Sequence, residues 1–162
     1  MIEVKVITNN NISEEAIIDI CKIKSVFGEY SFDSQRQWII DNIKPDDIHF
    51  LIYDNNKLIA YANLIEESLF MDEKEINILG LGNVCVDEKG KEKGYLLMSK
   101  INNYLIENNR VGLLFCKSML VPFYDRNNWK SIKPDYSENI CWMSFNAKGI
   151  DMKNISYRRK LF

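Results

Sequence analysis

The stretch Gly82-Asn83-Val84-Cys85-Val86-Asp87-Glu88-Lys89-Gly90-Lys91-Glu92-Lys93-Gly94-Tyr95-Leu96-Leu97-Met98 carries the clearest chemical signal in the chain. An apolar run with strand character leads into a loop of lysines and glycines. The loop opens directly into an amphipathic helical pattern. The first backbone N–H groups of a helix have no partner within it and attract an anion. Lys89, Lys91 and Lys93 add positive charge at that point, so the segment is suited to a phosphate or pyrophosphate. An ordinary strand-to-helix connection with solvated lysines is the alternative reading of the same residues. No G-x-x-x-x-G-K-S/T run occurs, which excludes a P-loop, and the G-x-G-x-x-G dinucleotide fingerprint is also missing.

Composition narrows the function classes. The chain has 162 residues, 46% hydrophobic and 27% charged, enough for an unstapled core and expected to form one domain over residues 1–162. A net charge of −2 gives no electrostatic footprint for nucleic acid. The cysteines, Cys21, Cys85, Cys116 and Cys141, form no C-x-x-C pair, and His49 is the lone histidine, so no metal site is expected. Apolar surroundings make reduced core thiols the expectation for all four. The N-terminal MIEVKVITNN lacks an apolar leader pattern, and no apolar run approaches a membrane span. These features predict a cytoplasmic protein with no membrane partner.

The elements that position the loop follow from periodicity. Val4–Ile7 alternates as a strand. Asn11 or Ser13 caps a helix whose apolar stripe fades at Gly28, and Ser31 or Asp33 caps a second that Pro45 stops. His49–Tyr53 is a short apolar strand, Asp54–Lys57 is turn chemistry, and Leu58–Glu66 alternates again. Asp72-Glu73 marks a turn before a long strand, Glu75–Val86, where Gly80 and Gly82 suit a bulge. Tyr95–Asn109 is the strongest helix, with Leu97, Met98, Ile101, Tyr104 and Leu105 on its buried stripe. Val111–Cys116 is a strand, Leu120–Asn127 a short helix, and Ile140–Phe145 a last strand. The tail from Asp151 is expected to be partly mobile. The order predicts an α/β (α+β) protein: a mixed, mostly antiparallel sheet flanked by helices.

At this point the sequence resembles the GNAT superfamily of N-acetyltransferases. Its motif A follows a V-x-V strand with R/Q-x-x-G-x-G/A. Val84 and Val86 match the strand, Lys89 takes the Arg/Gln position and Gly94 the final glycine. Glu92 replaces the first glycine, which is a departure. A carboxylate aimed inward would repel phosphates, so Glu92 is expected to face outward. A second motif, Y-x-x-x-G-F/W, is matched by Tyr124 and Trp129. Asn128 stands at the glycine, and asparagine tolerates the left-handed conformation a helix end needs. The resemblance runs from about Phe50 to Trp129.

The resemblance implies the GNAT fold, with its sheet splayed at the cofactor site, and acetyl-CoA as co-substrate. It places the pyrophosphate on Lys89, Gly90, Lys91, Glu92, Lys93, Gly94 and Tyr95. Main-chain groups of Val84, Cys85 and Val86 would pair with the pantetheine arm in the manner of strand addition and polarise the thioester. Tyr124 would protonate the departing thiolate as a general acid. The acceptor is expected to be a primary amine, with a small molecule as its carrier. Glu29, Tyr30, Glu66 and Asn83 are the candidate acceptor-side residues. No general base stands out: Glu29, Asp33, Glu66 and Glu67 read equally well as solvated charges, and His49 as a structural histidine. The protein is expected to be a monomer or a homodimer. A catalytically inactive acyl-CoA-binding module, or an acetyltransferase for a protein amine, is the alternative.

Overall fold

A computed structural model describes residues 1–26, 30–88, 92–135 and 139–157. Among them are eight strands and four α-helices, which make a mixed α/β fold with a mostly antiparallel sheet. The chain forms two compact units. The first comprises Met1–Ile65 and Asn83–Leu97, the second Glu66–Gly82 and the chain from Met98 onward.

In the first unit, β1 (Ile2–Thr8) pairs antiparallel with β2 (Ile48–Asp54), and β2 with β3 (Lys57–Met71). The β2–β3 hairpin turns on Asn55 and Asn56, both with positive φ (47° and 64°), the pair a type I′ turn requires. β2 is buried on both faces from Ile48 to Tyr53, which explains its unbroken apolar reading. Helix α1 (Glu14–Ser25) starts at Ser13, whose hydroxyl accepts the Ala16 N–H. Helix α2 (Phe32–Asn42) starts at Ser31, which caps Ser34 in the same way. Ile20, Cys21 and Ile23 of α1 and Ile39 of α2 pack with Leu51, Tyr53, Tyr61 and Cys85 of the strands in one apolar cluster.

In the second unit, β4 (Lys74–Val86) meets β5 (Gly112–Lys117) in parallel at Leu79–Gly112 and Gly80–Leu113. The end of β4, from Asn83, belongs to the first unit. Helix α3 spans Lys93–Glu107, of which the start up to Leu97 belongs to the first unit, and α4 spans Val121–Arg126. Two strands escape the sequence reading. β6 (Lys130–Asp135) offers one apolar side chain, Ile132, and contains Pro134; it pairs with β7 (Ile140–Phe145) through a register shift. β8 (Ile155–Ser156) pairs with the far end of β3 at Phe70 and Met71. The expectation of a mobile tail therefore fails up to Tyr157: Met152 and Ile155 are buried against Leu69, Ile78 and Leu113.

Candidate functional site

The C-terminal part of β4 departs from strand geometry at Asn83, whose φ is +55°. The sequence pattern suits Gly80 or Gly82 for this irregularity. Asparagine takes it instead, because its short polar side chain supports the left-handed conformation locally. The Asn83 carboxamide Nδ2 donates to Asn63 Oδ1 at 2.8 Å, and Asn63 is buried. After this break come Val84 and Val86, half-buried, and Cys85, buried. The Asp87 N–H then returns to the Ile59 carbonyl at 3.0 Å. Burial pushes the Cys85 thiol up to about 12, with Lys24 opposing it. Such a thiol stays protonated and is a poor nucleophile, in keeping with a sequence that offers no activating base.

Asp87 organises the approach to α3. Its carboxylate accepts hydrogen bonds from the ammonium groups of Lys93 and Lys57, the latter at 2.9 Å. Burial pushes the Asp87 carboxyl up, but these hydrogen bonds and charges outweigh it and hold the pKa below its ordinary value. Lys93, a predicted phosphate ligand, is thus tied to a carboxylate. Lys89, Gly90 and Lys91 lie outside the described residues, as does Glu29. Glu92 is exposed, and its carbonyl accepts the Leu96 N–H at 3.0 Å, which makes it the cap of α3. Gly94 and Tyr95 lie in the first turn. A hollow of about 590 Å³ opens beside this turn, bordered by Glu92, Lys93 and Tyr95 and by Ile2, Asp54 and Ile59. Two carboxylates on its rim disfavour a phosphate there. What suits an anion is the row of N–H groups at the start of α3.

Tyr124 lies in the second unit on α4. Pro122 fits the first turn of that helix, where its missing N–H costs nothing. The helix ends as the sequence reading expects. Asn128 has φ +66°, and the N–H of Trp129 reaches the Tyr124 carbonyl at 3.1 Å. This end is clamped by a residue the sequence reading passed over, Asn102 of α3. Asn102 Nδ2 donates to the Asn127 carbonyl at 2.8 Å and its Oδ1 accepts from Trp129 Nε1 at 2.9 Å. The signal was present: a carboxamide one position past Ile101, inside an apolar stripe. Trp129 is fully buried against Phe145 and leaves no room beneath it. A Cβ at Gly112 would come within 2.6 Å of the indole and 2.8 Å of Leu105.

The Tyr124 side chain is buried, and burial pushes its phenol well above the ordinary value, with Cys116 adding to the shift. Among the described residues no protein group hydrogen-bonds to its hydroxyl. The phenol is therefore protonated and uncommitted, the state an acid must start from. Glu66 is not uncommitted: Arg110 binds it bidentately at 2.7 and 2.6 Å, which suits a structural charge better than a base. Tyr30 is largely exposed just ahead of α2, and Asp33 is exposed in its first turn. His49 is fully buried between Tyr61 and Asn9. Among the described residues no group of three or more His, Cys, Asp or Glu could hold a metal, and no helix is long and apolar enough to cross a membrane.

This architecture is the GNAT fold. An acyl-CoA N-acyltransferase from Pseudomonas aeruginosa superposes with a TM-score of 0.68 at 14% identity, over 89% of this chain and 99% of that one. An N-acetyltransferase from Staphylococcus aureus Mu50 gives 0.65 at 23% identity, over 90% and 97%. The Bacillus subtilis N-acetyltransferase YlbP, solved in complex with coenzyme A, gives 0.56 at 18% identity, over 90% and 96%. No protein-family model matches the sequence, and no curated protein matches it.

Proposed function

We propose that this protein is an acyl-CoA N-acyltransferase that moves an acetyl group from acetyl-CoA to a primary amine, carried by a small molecule. The observation that supports the reading most directly is the break of β4 at Asn83, followed at once by a short extended segment and the N-terminus of α3, in a fold shared with a coenzyme A-bound neighbour. The N–H groups at the start of α3 would take the pyrophosphate. Main-chain groups of Val84–Val86 would pair with the pantetheine arm and polarise the thioester carbonyl. The neutral amine attacks that carbonyl, the C–S bond breaks, Tyr124 gives its proton to the departing thiolate, and the proton shed by the acylated nitrogen returns to the phenolate through water. Nothing in this sequence of steps demands a dedicated base, because an amine can lose its proton to water before attack.

Acetyl-CoA at about 100 times its dissociation constant is expected to stabilise the fold by about 2.7 kcal/mol. A thermal-unfolding series against acetyl-CoA reads this, and a midpoint independent of concentration would sink the reading. Thiol release across a panel of amines then separates an enzyme from a binding module: saturable binding without release would favour the module, for which the carboxylate of Glu92 at the phosphate position is the motive.

A further inference from the structure

Strands β5 and β7 are paired antiparallel so that Cys116 lies directly opposite Cys141. Residues opposed in this way have Cα atoms about 4.5 or 5.5 Å apart and side chains on the same face of the sheet. A disulfide spans Cα separations of about 4.4–6.8 Å, so the opposed pair lies within reach of one. Both residues are free thiols. Cys116 is buried, with its Sγ 3.8 Å from Met143 Sδ, while Cys141 is partly open to solvent. The remaining two, Cys21 and Cys85, are buried on a helix and a strand of the other unit, where no ladder register opposes them and no oxidant has ready access.

We propose that Cys116 and Cys141 form a redox-active dithiol that closes reversibly to a disulfide when it meets a peroxide. The order of events follows from exposure. The Cys141 thiolate attacks one peroxide oxygen and the O–O bond breaks. The released hydroxide takes up a proton as water, and Cys141 is left as a sulfenic acid. Cys116 then attacks the sulfenyl sulfur, the S–O bond breaks, and a second water leaves with the Cys116 proton. In sum two thiols and one hydrogen peroxide give one disulfide and two waters. Burial pushes the Cys116 thiol up to about 11, so it is the slow, resolving partner held beside the site of first oxidation. Formation of the disulfide does not depend on acyl transfer, and its test reads no activity.

The experiment treats the full reduced chain with hydrogen peroxide and divides it: one portion is weighed and its thiols titrated in denaturant before and after dithiothreitol, and a second is alkylated and digested. Titratable thiols should fall from four to two, and the intact mass should drop by two hydrogens. An unreduced tryptic map should join the peptide ending at Lys117 to the peptide carrying Cys141, and dithiothreitol should restore all four thiols. Cys141→Ser should leave the three other thiols unjoined under the same treatment. A link through Cys21 or Cys85, a bridge between two molecules, or a Cys141 that runs on to sulfinic acid would overturn the proposal. So would thiols that stay intact while an exposed model thiol is consumed.

Discussion

Tyr61 and Tyr124 are both buried tyrosines, and burial pushes both phenols well above their ordinary value. They differ in what their hydroxyls meet. Tyr61 lies in the core of the first unit, and its hydroxyl is 2.9 Å from His49 Nδ1, whose other nitrogen reaches Asn9 Oδ1 at 3.0 Å. That chain satisfies a buried imidazole and ties β3 to β2 and to the turn after β1. Tyr124 sits on a short helix held at its end by Asn102 and Trp129, with its hydroxyl left to whatever enters. The same residue type, shifted in the same direction by the same cause, is a structural link in one place and a loaded acid in the other. A raised pKa therefore does not mark a catalytic tyrosine by itself; an unengaged hydroxyl on a firmly held element is the better sign.

The sharpest way to break this comparison is to remove each hydroxyl. Tyr124→Phe should lower kcat by about 10²–10⁴, the usual loss for a general acid, with unfolding free energy and acetyl-CoA affinity little changed. Steady-state rates beside a denaturant curve would show it, and an unchanged rate with chemistry limiting would remove Tyr124 from the mechanism. Tyr61→Phe should do the reverse. Leaving the His49 ring nitrogen unpaired should cost about 1–3 kcal/mol of stability, while turnover per folded molecule stays near the parent's.

Acid should sharpen the contrast further. Burial lowers the His49 pKa to about 4, so between that value and its ordinary one the unfolded chain binds a proton that the folded chain refuses. Stability should therefore fall as pH falls, by about 2 kcal/mol from pH 7 to pH 5. Denaturation at the two pH values should show this drop in the parent and lose most of it in His49→Gln. The smallest effect belongs to the end of α4. Asn128→Ala should cost about 1 kcal/mol through its left-handed backbone, and Asn128→Gly should be nearly neutral. Equal losses for both variants would mean that the side chain, and not the backbone, holds the Tyr124 helix in place.

What sequence alone determined here was local. Alternation and short apolar runs placed six of the eight strands, and caps placed α1 and α2, because Ser13 and Ser31 act on N–H groups within their own turns. The Asn55-Asn56 turn, the Asn128 helix end and the order of elements that pointed to the GNAT fold were legible for the same reason. Tertiary structure decided the rest. β6 and β8 carry too little apolar pattern to announce themselves and exist through pairing with distant strands. Which residue of β4 would take the left-handed backbone depended on a partner twenty residues away, Asn63. Whether Lys93, Glu66 and His49 were available for chemistry depended on Asp87, Arg110 and Tyr61, contacts that no spacing encodes. A side chain's type sets what it can do, but only its neighbours in space decide whether that capacity is already taken.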